Sequence, residues 1–161
     1  MKLDELYDRY GERMYHYLSL RLSSAEDAED VLQEAFCRLA RYSVRWAFIR
    51  NPRAFIFKVL RNESNRYLAG RIRQRAGKLM NPERQIQTVA VIEAPDGSPS
   101  AMVSAALARL PDKQKDIVIL KVFQGFTFKE IAGICGLSVN TAASRYRYAI
   151  EKLRSLMEGK E

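Results

Sequence analysis

Thr127-Phe128-Lys129-Glu130-Ile131-Ala132-Gly133-Ile134-Cys135-Gly136-Leu137-Ser138-Val139-Asn140-Thr141, running on through Arg145, Arg147, Lys152 and Arg154 to Met157, is the stretch on which the fold turns. Thr127 and Glu130 make a capping box, in which hydroxyl and carboxylate each satisfy an orphan backbone donor. Ile131, Ala132 and Cys135 recur at helical spacing and predict one apolar face. Gly136 suits the left-handed residue that ends such a helix. Ser138 then caps a second helix whose exposed side carries Asn140, Thr141, Ser144, Arg145 and Arg147. A short helix, a glycine turn and a second helix rich in hydroxyls, amides and guanidiniums is a helix-turn-helix pattern. An ordinary helical hairpin with a solvated face shares the same spacing.

Working outward, the chain has 161 residues and a net charge of +8, which favours a polyanionic partner. The charge is uneven. Residues 1–44 carry −3, residues 45–84 carry +9 and the remainder +2. An acidic segment thus lies directly before a basic one, which suggests two different partners. No apolar run is long enough to span a membrane. The start, Met1-Lys2-Leu3-Asp4-Glu5, lacks the apolar core of a signal peptide, so a cytoplasmic location is expected. Cys37 and Cys135 both fall at apolar helical positions and are expected as buried thiols. With the single His16 remote, no metal spacing exists and no cofactor is expected.

Leu3, Leu6, Tyr7, Tyr10, Met14, Tyr17 and Leu18 predict a first amphipathic helix, its tyrosines packed in the core. Ser23-Ser24-Ala25-Glu26 starts a second, running to about Tyr42, with Ala28, Val31, Leu32, Ala35, Phe36 and Leu39 buried. Its other side carries Glu26, Glu29, Asp30, Gln33 and Glu34. Without a nearby His, Lys or Gly-rich loop these acids make a poor catalytic site. They form either a docking face for a basic partner or a solvated face. Asn51-Pro52 starts a third helix, since Asn caps and Pro fits the first helical position. There Trp46, Phe48, Phe55 and Phe57 interleave with Arg53, Lys58, Arg61, Asn62 and Arg66, a combination suited to unstacked single-stranded bases beside a phosphate track and shared by a basic helix with core aromatics.

From Gly77 to Pro99 periodicity fades. Asn81-Pro82 and Ala94-Pro95-Asp96-Gly97-Ser98-Pro99 read as turn and linker. The expectation is an all-α chain of two small helical domains, 1–76 and 100–161, joined by a linker at 77–99. The second begins with a helix carrying Val103, Ala106, Leu107 and Leu110. Another starts at Pro111-Asp112, with Ile117, Val118, Leu120 and Val122 buried, before the helix-turn-helix.

In this order the parts resemble a bacterial RNA polymerase sigma factor of the sigma-70 family, of the short extracytoplasmic-function (ECF) type that keeps only regions 2 and 4. Ala28-Glu29-Asp30-Val31-Leu32-Gln33-Glu34-Ala35-Phe36 is similar to region 2.2. The resemblance implies that Asp30, Gln33 and Glu34 dock on the clamp helices of the polymerase largest subunit. Pro52 to Asn62 resembles the helix that melts and reads the −10 promoter element. That implies strand contacts from Trp46, Arg53, Phe55, Lys58, Arg61, Asn62 and Arg66. Leu110-Pro111, Glu130-Ile131-Ala132, Leu137 to Thr141 and Ser144-Arg145 resemble region 4. Its winged-helix-like module is implied to read the −35 element through Ser138, Asn140, Thr141, Ser144, Arg145, Arg147 and Tyr148, and to meet the polymerase flap. Core polymerase, promoter DNA and an anti-sigma factor are the implied partners, and catalysis belongs to the polymerase. Ala143, Tyr148, Phe55 and Arg66 replace residues common in the family, which predicts more reliance on phosphate contacts and DNA shape. Two rival readings are a helix-turn-helix regulator acting without polymerase and a metal-dependent nuclease built on the acids of the second helix.

Overall fold

The computed structural model describes residues 1–22, 24–79 and 99–159. The linker expected at 77–99, with its Asn81-Pro82 and Ala94–Pro99 turns, lies almost wholly outside them. Helix α1 spans Leu3–Leu22, α2 Ala25–Ala40, α3 Pro52–Leu79, α4 Pro99–Ala108, α5 Asp112–Val118, α6 Phe128–Cys135 and α7 Val139–Met157. A single 3₁₀ turn, Trp46–Phe48, precedes α3, and a π-helical turn, Ile119–Phe123, follows α5. No strand forms among the described residues, so the winged-helix likeness extends to the helices alone.

The caps act where the residue types predict. The Ser24 hydroxyl accepts from Asp27 N–H at 3.3 Å and opens α2. Asn51 Oδ1 accepts from Ala54 N–H at 3.1 Å and opens α3. Helix α2 stops at Ala40, two residues short of expectation, because the chain tightens into i→i−3 bonds from Arg41 onward. Helix α3 runs on to Leu79, past the boundary expected at residue 76.

Helices α1 and α2 pack together with α3 against both. Leu6, Met14, Leu18, Val31, Ala35, Leu39, Ile56 and Leu60 fill their core. Helices α4 to α7 form the second unit around Leu107, Leu110, Val118, Ala149 and Leu153. The two units do not stand apart. Helix α6 lies on α3, and the π turn lies on α1. Ile117, Ile119, Phe126, Ile131 and Ile134 belong to the same apolar core as α1–α3.

Three expected burials fail. Cys37 is exposed, because it lies two residues past Ala35 and so about 200° round α2 from the buried row of Ala28, Val31, Ala35 and Leu39. Tyr7 is exposed too, though its ring tilts against Phe36 with centroids 5.6 Å apart. Val122 is turned to solvent because the π turn bonds Gln124 N–H back to Ile119 C=O and rotates the register. Cys135 is half-buried, its thiol pushed up to about 12 by burial and then by the Asp116 carboxylate. Native-state alkylation should therefore modify Cys37 within minutes at neutral pH and leave Cys135 largely protected. Peptide mass mapping checks this; equal labelling of the two thiols would contradict the packing around Cys135.

Candidate nucleic-acid interface

The turn between α6 and α7 is built as its residues dictate. Thr127 Oγ1 accepts from Glu130 N–H at 3.1 Å, and Glu130 Oε1 accepts from Thr127 N–H at 3.0 Å. Gly136 sits at φ 67°, where a side chain would be strained. Ser138 accepts from Thr141 N–H at 3.1 Å and donates to the Thr141 hydroxyl at 2.8 Å. Those two hydroxyls are thus partly committed to starting α7. Ala142, Ala149 and Leu153 turn α7's inner face to the core. Asn140, Ser144, Arg147 and Tyr148 follow at i, i+4, i+7 and i+8 and share one outer face. Thr141 and Arg145 form its flank. Arg147 lies 5.6 Å from the Tyr148 ring centroid, and both are exposed.

On α2, Asp30, Gln33 and Glu34 are all exposed on one side of the helix. Asp30 and Glu34 border a groove of about 370 Å³ between α2 and α3. Its floor holds the buried Glu63, clamped by Arg38 and by Arg66 at 3.4 Å. Arg38 also reaches Glu34 at 4.0 Å. Glu34 thus touches the ion-pair cluster around Glu63, and no His lies among the acids. No cluster of metal-binding side chains occurs among the described residues.

The structure divides the seven candidates around α3. Lys58, Asn62 and Arg66 stack four apart on an exposed row. Arg53 and Arg61 stack with Phe57 on another row, five residues back and so about 140° round the helix. That second row faces α5 and α6, not solvent. The Arg53 guanidinium donates to the Gln124 carbonyl and lies 4.1 Å from the Phe126 ring centroid. Arg61 Nε meets Asp116 Oδ2 at 2.5 Å. Burial works against the Arg61 charge, but Asp116, Cys135 and Tyr17 together outweigh it and raise the guanidinium's pKa. Trp46, expected as a stacking ring, is buried at 7% exposure and meets Phe55 edge-on at 5.9 Å. Phe55 is itself half-buried between Trp46 and Tyr42. The ring open to solvent is Phe48, at 85% exposure, on the 3₁₀ turn that Trp46 anchors. Its place in the aromatic run was visible in sequence; its exposure was not.

Two regional profiles of one family match, in the order of the two units. Sigma-70 region 2 covers residues 6–74, and Sigma-70 region 4 covers residues 100–153. Together they take in about three quarters of the chain. The chain belongs to the sigma-70 family. Its relatives mark the ECF branch. "ECF RNA polymerase sigma factor SigE" of Mycolicibacterium smegmatis is 30% identical over 96% of this chain and 61% of its own length. "RNA polymerase sigma factor SigZ" of Bacillus subtilis is 22% identical over 99% of this chain and 89% of its own. In fold, this sigma-70 family member superposes with a TM-score of 0.80 on the sigma factor RpoE from Bartonella quintana, solved with the anti-sigma factor NepR. The identity there is 24%, over 96% of each chain. The helix-turn-helix of this family member is the α6–α7 unit, and its acid-bearing helix is α2.

Proposed function

We propose that this chain is a transcription initiation factor that binds core RNA polymerase and directs it to specific promoters. The observation that carries this reading is the presence, in order, of the region 2 and region 4 units, each with its own charged face. In this reading Asp30, Gln33 and Glu34 hold the polymerase. Their shared exposure on one side of α2 supports it, because a charged row open to solvent can meet a complementary basic surface. Lys58, Asn62 and Arg66 follow the −10 strand, with Phe48 offering its ring to an unstacked base. Flipping a base costs a few kcal/mol, which stacking and cationic contacts offset. The α7 face of Asn140, Ser144, Arg147 and Tyr148, flanked by Arg145, enters the −35 major groove. The chemistry of RNA synthesis stays with the polymerase. The place of action is the cytoplasm; no helix among the described residues is long and apolar enough to cross a membrane. An anti-sigma protein is a further expected partner, since the structural neighbour RpoE was solved with an anti-sigma factor.

Arg145→Ala should weaken binding to the −35 duplex by about 1–3 kcal/mol if Arg145 reads a base. Fluorescence anisotropy on cognate and scrambled duplexes checks it. An equal loss on both duplexes assigns Arg145 to phosphate alone. The function itself is tested by co-purification with core polymerase. Stoichiometric co-elution supports it. Sequence-specific DNA binding without co-elution would favour a regulator that ignores polymerase.

A further inference from the structure

Helix α3 outlasts the core it packs on. Tyr67 and Leu68 are its last side chains against the apolar core among the described residues. Residues 71–77 are all exposed, Ile72 at 65%. From Ser64 to Leu79 the sequence places Arg66, Arg71, Arg73, Arg75 and Lys78 without one acid. Gly70 and Gly77 are poor helix formers, and Arg71 and Arg75, four apart, repel each other. Arg71 is held from within, since its guanidinium meets Asp27 Oδ2 at 3.2 Å and lies 5.8 Å from the Tyr67 ring centroid. Arg73 and Arg75 meet no acid among the described residues. A helix end that is polar all round and charged with one sign lacks a counter-charge of its own.

Those two arginines lie on opposite sides. Arg73 is seven residues past Arg66, so it falls within about 20° of the Lys58–Asn62–Arg66 row and about 10 Å further along the axis. Arg75 is nine residues past Arg66 and so about 180° away. Ala69 and Ala76 lie one turn before and one turn after Arg73, and both are exposed, so small residues flank it on that face.

The direction of this end follows from chain length. Resting on the function proposed above, elements named −10 and −35 lie about 25 base pairs apart, or about 85 Å of duplex. The stretch from Leu79 to Pro99 reaches about 65 Å at most. The end of α3, from which that stretch leaves, must therefore face the −35 side, where the DNA is still paired. A strand advances about 3.4 Å per nucleotide, so Arg73 falls about three nucleotides beyond Arg66.

We propose that the end of α3 extends the nucleic-acid track past the melted strand, with Arg73 gripping a backbone phosphate of the paired DNA between the two elements. Such a contact carries no sequence information; it adds affinity and fixes register. The phosphate also supplies the counter-charge that the exposed turns of α3 lack.

The test uses the full chain without polymerase and a forked probe, a duplex of about 20 base pairs with a single-stranded tail of about ten nucleotides. Fluorescence anisotropy follows binding from about 50 to about 200 mM salt. Each phosphate contact releases counterions, so Arg73→Ala should flatten the slope of log affinity against log salt by about 0.9. Over that range the parent should lose about threefold more affinity than the variant. Arg73→Lys should keep the slope, because a point charge suffices on a phosphate. Arg75→Ala removes the same charge from the opposite face and should leave the slope unchanged. On the single-stranded tail alone, the parent and Arg73→Ala should match. Equal flattening by Arg73→Ala and Arg75→Ala would reduce the end of α3 to a general positive field and overturn the contact. So would an unchanged slope for Arg73→Ala, a difference that persists on the tail alone, or a fork that the parent does not bind at low salt. If Arg73→Ala keeps the parent's slope and instead weakens association with core polymerase, the residue belongs to an acidic protein surface and the DNA contact falls. The slopes need no polymerase. A chain that shows the Arg73 slope yet directs no transcription sinks the proposed function and leaves the phosphate contact standing.

Discussion

Phe57→Ala lowers the free energy of unfolding by about 3–5 kcal/mol, the cost of emptying a filled aromatic site. Phe57 is fully buried and meets rings on both sides, Tyr17 at 5.6 Å and Phe126 at 5.2 Å. The first neighbour belongs to α1 and the second to the segment before α6. Removing the ring thus opens a void shared by both units, and neither can collapse into it without moving the other. Phe48→Ala is the matched control. It deletes the same ring from the same run of aromatics, yet at an exposed site, and should shift stability by no more than about 0.5 kcal/mol. Urea unfolding followed by circular dichroism separates the two. A loss under about 1 kcal/mol for Phe57→Ala would mean that the ring is not packed between the units in solution.

Reversing the acidic row has the second large effect. Asp30→Lys with Glu34→Lys should weaken association with core polymerase by about 3 kcal/mol, on the order of a hundredfold, because like charges then face each other at the docking site. Both side chains are exposed, so the fold should be unaffected. Glu34 also touches Arg38, and its loss leaves Arg38 still paired with the buried Glu63. Titration of labelled protein with core polymerase measures the change. Unaltered affinity would return the row to a merely solvated face.

These two predictions rest on features that differ in how far sequence exposes them. Caps are local chemistry, so Thr127 with Glu130, Gly136, Ser138, Asn51 and Ser24 act as their residue types require. The acidic row is equally local, and Asp30, Gln33 and Glu34 do share an exposed side of α2. Helix α3 is harder to read because cations occupy two opposed rows, which erases the apolar contrast that normally marks the inner face. Only the partner surface shows that the Arg53–Phe57–Arg61 row is the covered one. Asp116 is likewise silent: one acid in a short helix gives no hint that Tyr17 and Arg61, far off in sequence, will enclose it. The exposure of Val122 follows from a π turn that no residue type announces. Trp46 turns inward and Phe48 outward because a single 3₁₀ turn decides which ring of the aromatic run is buried.

The most direct test of the whole account is transcription in vitro with core polymerase, the purified chain and a library of randomised promoter templates, read by sequencing the transcripts. The account predicts discrete start sites that share two sequence elements at fixed spacing, absent when core polymerase acts alone. Transcripts indistinguishable from those of core polymerase alone would contradict it.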